Sequence, residues 1–510
     1  MDQLYTATLS FTILLISIIW YTKALVKQGG KTAPLPPGPR GLPILGYLPF
    51  LGNNLLHQFT DLGHKYGSIF KLYLGNKLCV VITSPSLAKE VVRDQDVVFA
   101  NRDITAAAFV ASYGGNDIGW SPPNAQWRIM RKILVQEMMS NKSLEASYGL
   151  RRDEVRKVIG HVRTEVGKPI DIGGLSFRTE VNVMMNMLWG GTIEGEEGER
   201  IGEEFQVLVS KINDLFGKPN VSDFYPVLAG LDIQGVRKQM ESHMHSLDKI
   251  FDAVITEHKK NLSAGQIKKQ GKKDFLQILL EIQEKEDSDM SISEKHVRAI
   301  LMDIVAGGTD TSATTVEWAM AELMKNPDAM AKAQKELSDV VGLNNIVEEY
   351  HMPKLKYLEA VFKETLRLHP AIPLLIPRSP AQSSTVGGYT IPTNSRVFIN
   401  VWSIHRDPSI WDNPLEFKPE RFLGENEKLD FRGNHFHYLP FGSGRRICAG
   451  LALAERMLIY LLASLLHSFD WKLPEGKTFD MLETFAILLR KSTPLLVIPN
   501  PRLPDSNLYV

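Results

Sequence analysis

The chain holds two cysteines in 510 residues, Cys79 and Cys448, and it has no excess charge, with 58 Lys and Arg against 58 Asp and Glu. Two thiols exclude a disulfide-stapled scaffold and every zinc or iron–sulfur site built on several cysteines. A formal net charge of zero argues against a nucleic-acid partner, because a surface that tracks phosphates needs a basic excess or stripe. No internal repeat is visible, which removes the solenoid folds. What the chain does have is apolar content. Its 44% hydrophobic residues exclude global disorder and supply a core large enough to bury about 75% of the unfolded surface.

Charge is also missing from Leu4 to Thr22, where FTILLISIIW (Phe11 to Trp20) is almost wholly apolar. The stretch is close to the ~20 residues a helix needs to cross a bilayer. A cleaved signal would want a basic start and a small-residue cleavage site. Here the basic residues Lys23, Lys27, Lys31 and Arg40 follow the apolar stretch instead. The positive-inside rule then places the rest of the chain on the cytoplasmic face. The expected division is a membrane anchor over 1–24, a basic and proline-rich hinge over 25–45, and one body over 46–510. The segment PLPPGPRGLP (Pro34 to Pro43) cannot continue a helix and reads as a stiff extended spacer.

IFKLYLGNKLCVVIT (Ile69 to Thr83) predicts a hairpin turning at Gly75-Asn76, with Cys79 as a buried structural thiol in its second strand. Helical periodicity dominates from about residue 125, and short strand-like runs return near 386–400 and 484–498. The six lysines between Lys259 and Lys273 read as a solvated loop, and Glu194 to Glu204 as an exposed acidic segment. FYPVLAGL (Phe224 to Leu231) is apolar, and core packing is its expected role, with membrane contact as the alternative. The pairs His243/His245 and His435/His437 lack a third ligand at metal-site spacing.

Four segments carry chemistry. In PFGSGRRICAGLALAERM (Pro440 to Met457) a glycine-rich turn delivers Cys448 to the start of an apolar helix. A thiol there faces the positive end of the helix dipole and loop N–H donors, which favour the thiolate. One thiolate cannot hold zinc, but it suffices as the axial ligand of a haem. Phe441, Gly444, Arg446, Cys448 and Gly450 form F-x-x-G-x-R-x-C-x-G, which resembles the haem-binding signature of the cytochrome P450 superfamily.

The second segment is a helix around AGGTDTSATTVEWAMAEL. Ser291 and Glu294 suggest a capping box, and Pro327 bounds the far end, giving ~33 residues and about 50 Å. Gly307 and Gly308 cost ~1 kcal/mol each in a helix interior, so either another helix packs closely there or the helix opens. An opening would leave a groove with an alcohol, Thr311, and a carboxylate, Asp310, to handle protons. The resemblance implies that these two support dioxygen activation. The third segment, KETLRLHP, sets Glu364 and Arg367 on one helix face, and FKPERF supplies Arg421. The resemblance implies a buried structural Glu–Arg–Arg unit. In the fourth, WRIMRK, Trp127 and Arg131 share a face. The resemblance implies that they hold haem propionates together with Arg378 and Arg446.

The wording PPGPRGLPILG, AGGTDTS, KETLRLHP, FKPERF and PFGSGRRICAG is similar to the plant microsomal type of this family, in particular to sesquiterpene and flavone hydroxylases. The resemblance implies a mainly α cytochrome P450 fold with a small β-rich part, preceded by one N-terminal transmembrane helix. It implies haem b (iron protoporphyrin IX) with Cys448 as the iron ligand, and an endoplasmic-reticulum membrane location with a cytoplasmic body. The partners implied are an NADPH–cytochrome P450 reductase, dioxygen, membrane lipid and a small hydrophobic substrate. Arg128, Lys132 and Arg445 are basic residues for the reductase contact. By position, the substrate would meet Phe109, Val110 and Trp120 before the Trp127 helix. It would meet Met302, Val305 and Ala306 before Thr311, and Ile372, Leu374 and Leu375 after KETLR. Phe485 and Ile487 come from a late turn. These residues carry no charge, which suits a terpene or an aglycone flavonoid; the expected substrate is a sesquiterpenoid, with a flavonoid as the alternative. The remaining alternatives are a reductase-independent isomerase or dehydratase of the same fold and a non-enzymatic haem protein.

Overall fold

The computed structural model describes residues 33–52, 54–191, 196–263, 273–285, 291–476 and 479–510. The anchor segment 1–24 and the first part of the hinge, 25–32, lie outside them. The runs on either side of Gly75-Asn76 form β1 (Ile69–Leu74) and β2 (Lys77–Ile82), antiparallel with Leu72 opposite Cys79. Gly75 takes φ +58°, a turn conformation that glycine enters without a Cβ clash. Cys79 is fully buried, and burial pushes its thiol up to about 12, so it packs as a neutral small hydrophobe. β3 (Asn101–Arg102), β4 (Arg378–Ser379) and β5 (Arg396–Ile399) complete a five-stranded sheet in the order β1-β2-β5-β4-β3. The β2–β5 pair is parallel, Cys79 facing Arg396. A parallel pair needs a long crossover, so it is invisible to local alternation.

The chain forms two compact units. The smaller contains the described residues up to Asp103, with Asn220–Gln234 and Leu374–Ile404. The larger contains Ile104–Pro219, Gly235–Pro373 and His405–Val510. In the larger unit the functional side chains sit on or beside α1 (Ala125–Ile133), α2 (Ile172–Trp189), α3 (Glu196–Gly217), α4 (Glu294–Gly308), α5 (Asp310–Lys325), α6 (Lys356–Leu368) and α7 (Leu451–Ser468). A hairpin of β6 (Glu483–Phe485) and β7 (Leu489–Lys491) follows. α5 packs against α2, α6 and α7. Beyond Glu455 and Arg456 α7 is largely apolar, and every side chain from Met457 to Ser468 is buried, as a core helix requires. Among the described residues it is the one helix long and apolar enough to cross a membrane.

The structure corrects several expectations. The long helix is capped at Ser293, whose N–H donates to His296 Nδ1 at 3.0 Å, not at Ser291. A histidine at the third helical position does the work that Glu294 suggested. Lys259 and Lys260 continue the helix Val236–Ser263 rather than a loop, and residues 264–272 lie outside the described set. The acidic run is helical from Glu196, which leaves its reading as an exposed segment standing at Glu204. Phe224–Leu231 is not core. Pro226–Leu231 is a 3₁₀ turn without a buried residue, with Val227 87% and Leu231 68% exposed. One short turn presents too narrow an apolar face to be covered on all sides. Because nothing packs on these two side chains, Val227→Asp with Leu231→Asp should leave thermal unfolding of the holoprotein within about 0.5 kcal/mol of wild type.

Candidate active site

Cys448 follows a 3₁₀ turn, Gly444–Arg446, and its N–H donates to Phe441 O at 3.0 Å. Gly442 and Gly444 take φ +71° and +69°, conformations that a side chain would strain. A Cβ on Gly450 would stand 4.0 Å from the sulfur, so the turn leaves the thiol uncrowded. Desolvation by the surrounding protein pushes the thiol up, while the Gly450 N–H, the Arg131 charge and the Leu451 N–H pull it down. Yet Cys448 is exposed. A side chain that is both desolvated and exposed borders an internal open volume rather than packed atoms. Phe441 is half-buried, its ring 5.4 Å from that of Phe431.

The long helix does open. α4 ends at Gly308 and α5 begins at Asp310, with Thr309 at φ −95° and ψ −74° between them. Thr309 Oγ1 donates to Val305 O at 2.9 Å and Thr311 Oγ1 to Gly307 O at 2.7 Å, each taking a carbonyl one turn back. The two glycines have different reasons. A Cβ on Gly308 would meet Met184 of α2 at 3.2 Å, whereas one on Gly307 would meet nothing. Gly308 therefore permits close helix packing, and Gly307 faces open space. A flat cofactor fits here, because the thiol and the groove glycine both look onto unfilled volume.

Asp310 Oδ2 accepts from Asn213 Nδ2 at 2.6 Å and pairs with Arg490 Nη2 at 2.9 Å, while Arg490 Nη1 holds Asp214 at 2.7 Å. Burial raises the Asp310 carboxyl, against the pull of Arg490 and Asn213. Sequence reading missed Asn213 and Arg490. They lie far from Asp310 in the chain, and α3 and β7 bring them in.

Trp127 lies within 4.7 Å of the Arg446 guanidinium and 5.6 Å of that of Arg131. Trp127 Nε1 and Arg446 Nη1 both donate to Ile118 O at 2.9 Å, and Arg446 Nη2 donates to Ser121 O. Arg131 Nη2 donates to Ile447 O at 2.6 Å. The three donors expected to meet an anion are thus assembled, and backbone carbonyls orient them. Arg378 lies in the smaller unit, where it is buried 3.5 Å from Asp96 and its guanidinium is pushed down to about 10 by burial.

Glu364 and Arg367 are both 0% exposed and joined by two hydrogen bonds of 2.7 and 2.8 Å. Arg421 Nε reaches Glu364 Oε1 at 3.1 Å, and Lys418 N donates to the same oxygen at 2.9 Å. Arg367 also donates to the carbonyls of His405, Pro414 and Glu416 at 2.8 to 3.1 Å. His405, which nothing in the sequence marks, carries this unit toward Cys448. Its Nδ1 bonds Arg367 O at 3.2 Å and its Nε2 accepts from Leu439 N at 2.9 Å. Burial first, then Arg367 and Arg406, hold the imidazole well below its usual range, so it stays neutral.

The residues assigned to substrate divide. Phe109 is 48% exposed, Val110 is half-buried, and Trp120 stacks on Phe216 of α3 at 5.9 Å. Ala306, Ile372, Phe485 and Ile487 are half-buried. Met302 and Val305 are buried within the hydrophobic core. Leu374 and Leu375 belong to the smaller unit. Leu374 is buried there, and Leu375 takes φ +51°, a left-handed conformation uncommon for leucine. Arg128, Lys132 and Arg445 are exposed.

A mainly helical body presenting a single thiol, backed by N–H donors and an ion pair, to an open volume beside a broken helix defines a haem-thiolate type of protein. The comparisons agree. The family model for cytochrome P450 matches residues 36–498. The chain is 40% identical to a geraniol 8-hydroxylase of Swertia mussotii, covering 92% of this chain and 94% of that protein. It is 38% identical to a flavonoid 3'-monooxygenase of Crocosmia x crocosmiiflora, covering 96% and 97%. A zebrafish cytochrome P450 structure with progesterone superposes at TM-score 0.76 with 25% identity, over 88% of this chain and 100% of that one. The chain belongs to the cytochrome P450 family. It is a monooxygenase of a fold that binds haem, uses dioxygen and a redox partner, and acts on hydrophobic substrates.

Removing one partner of a buried ion pair leaves an uncompensated charge. Arg367→Ala should therefore destabilise the body by about 3–5 kcal/mol, seen as a lower urea midpoint and a lower yield of haem-loaded protein.

Proposed function

We propose that the chain hydroxylates a sesquiterpenoid with electrons passed from an NADPH–cytochrome P450 reductase. The observation that carries the reading is Cys448, a desolvated thiol facing open volume with backbone N–H groups behind it. Haem, when bound, supplies dioxygen activation. The residues that would hold it are Cys448 at the iron, with Phe441 beside the turn and Trp127, Arg131 and Arg446 toward its carboxylates. The Gly450 and Leu451 N–H groups stabilise the sulfur as thiolate. Thr311 Oγ1 donates to Gly307 O, which leaves its oxygen lone pairs able to accept a hydrogen bond in the groove. Asp310, held by Arg490 and Asn213, stores and returns the proton. This acid–alcohol pair has no evident use in a reductase-independent rearrangement.

Phe109, Trp120, Ala306, Ile372, Phe485 and Ile487 bring apolar surface and no charge to the substrate side, which suits a terpene skeleton. Relatives named for geraniol, carnosic acid and ferruginol support a terpenoid. The flavonoid 3'-monooxygenase at similar identity keeps a flavonoid as the second reading. Residues 1–24 would anchor the chain in the endoplasmic-reticulum membrane. Exposed Leu42, Ile44, Leu45, Val227 and Leu231 of the smaller unit would rest on lipid, with the body cytoplasmic. Arg128, Lys132 and Arg445 would meet the reductase.

Microsomes containing the full chain and a reductase, incubated with sesquiterpene and flavone panels with and without NADPH, test the reading. The expected result is an NADPH-dependent hydroxylated sesquiterpenoid. A product formed only from flavones shifts the substrate class, and turnover without NADPH rejects the monooxygenase assignment. Arg490→Ala removes the cation that holds Asp310 down. The pH–rate limb of Asp310 should then move upward by about one unit or more.

A further inference from the structure

The segment Asp117-Ile-Gly-Trp-Ser121 makes a tight turn that two carboxyl groups hold from opposite sides. Asp117 closes it from within, accepting from Ser121 N at 2.8 Å and Trp120 N at 3.0 and 3.1 Å. Asp303 of α4 holds it from across, accepting from Ile118 N at 2.6 Å and Gly119 N at 3.2 Å. Gly119 lies between the two acids. A Cβ there would stand 3.2 Å from Asp303 Oδ1 and 3.3 Å from Asp117 Oδ2. The two carboxyl groups thus converge on the space beside Gly119, and the Asp117 charge is among the causes that raise Asp303. Two carboxylates offer acceptors only, so they share this space without repulsion only while one of them carries a proton.

We propose that Asp117 and Asp303 form a proton-sharing latch that positions the 117–121 turn on α4, and through it the Trp120 wall of the substrate region. Both act as positioning residues, and the role rests on the haem monooxygenase reading above. The turn they hold matters on both of its sides. Its Ile118 and Ser121 carbonyls receive Trp127 and Arg446. Its Trp120 ring stacks on Phe216 of α3 at 5.9 Å and 26°.

Desolvation pushes both acids up, Asp117 to about 6 and Asp303, which also feels Asp117, well above the ordinary carboxylate range. The cation facing the pair is Arg446, which pulls Asp117 down. Arg298, also on α4, is turned away to Asp248, Asp252 and Glu294. Tyr113, earlier in the same loop, donates to Asp248 at 2.6 Å. In the unfolded chain both acids ionise near about 4. The latch is therefore closed at low pH, and its stabilisation is lost as pH rises through the raised Asp303 value. There the shared proton leaves and two carboxylates confront one another.

The test uses the full-length haem-loaded protein in nanodiscs with two spectral probes. Clotrimazole fills the substrate region, and imidazole reads the iron alone. Amide exchange at Ile118 and Gly119 is followed in parallel. For Asp303→Ala, clotrimazole should bind about ten-fold more weakly, the worth of the two backbone hydrogen bonds lost. Imidazole affinity should stay within about two-fold, and the two amides should exchange faster. Asp117→Asn supplies an amide donor to Asp303 that does not titrate. It should abolish the weakening of clotrimazole binding that wild type shows as pH rises through the raised Asp303 value. A wild-type pH profile reproduced by Asp117→Asn, or unchanged exchange in Asp303→Ala, overturns the latch. A wild type that gives no azole spectrum overturns the haem reading instead, and the amide exchange, which needs no haem, still decides the latch.

Discussion

The buried pair of Glu364 and Arg367 is the constraint on which the active site rests. Neither side chain touches solvent, and in such a place an ion pair is weakly favourable at best unless its remaining donors and acceptors are satisfied. The fold is arranged to satisfy them. Glu364 takes a second guanidinium from Arg421 and the Lys418 N–H, and Arg367 spends its donors on three carbonyls between His405 and Glu416. Those partners sit on an irregular stretch with little regular structure of its own. The ion pair orders that stretch, and His405 passes the order to Leu439, at the entrance to the Cys448 turn. A thiol meant for a metal must be held by something stiffer than its own loop. Here that is a neutral imidazole braced against a buried salt bridge.

Against this rigid side stands a helix that departs from regularity where chemistry needs it. α4 and α5 would be one helix but for Thr309, and the threonines around the break take carbonyl oxygens from the turn before. Asp310 beside it is desolvated and yet paired. Its partners come from α3 and β7, so the proton-handling group is coupled to elements far from it in the chain. Local rules are broken at this turn, and the cost is met by close packing of α2 on Gly308.

The chemistry-bearing segments were legible because each is local. The turn into Cys448, the Glu364–Arg367 spacing and the Gly307–Thr311 interruption each fall within about two helical turns, and their residue types suit few other purposes. The hairpin at Gly75 was legible for the same reason. What failed was what depends on neighbours. Ser293 with His296, not Ser291 with Glu294, caps the long helix, because two overlapping patterns compete and backbone geometry chooses between them. Val227 and Leu231 are apolar and uncovered, because no periodicity says whether another element will arrive to cover them.

The sequence alone thus determined that a lone cysteine is delivered at a helix start by a glycine turn, that a helix is weakened beside an acid and an alcohol, and that an acid–arginine pair shares one helix face. These are short-range facts, set by backbone freedom and side-chain type within a few residues. Only the tertiary structure decided that the thiol looks onto open volume, that Arg490 and Asn213 hold Asp310, that His405 links the ion pair to the cysteine turn, and that Asp303 meets Asp117 across Gly119. Each of these joins residues distant in the chain, and the energy that fixes them is burial and hydrogen-bond satisfaction, which exists only once the chain has closed around them.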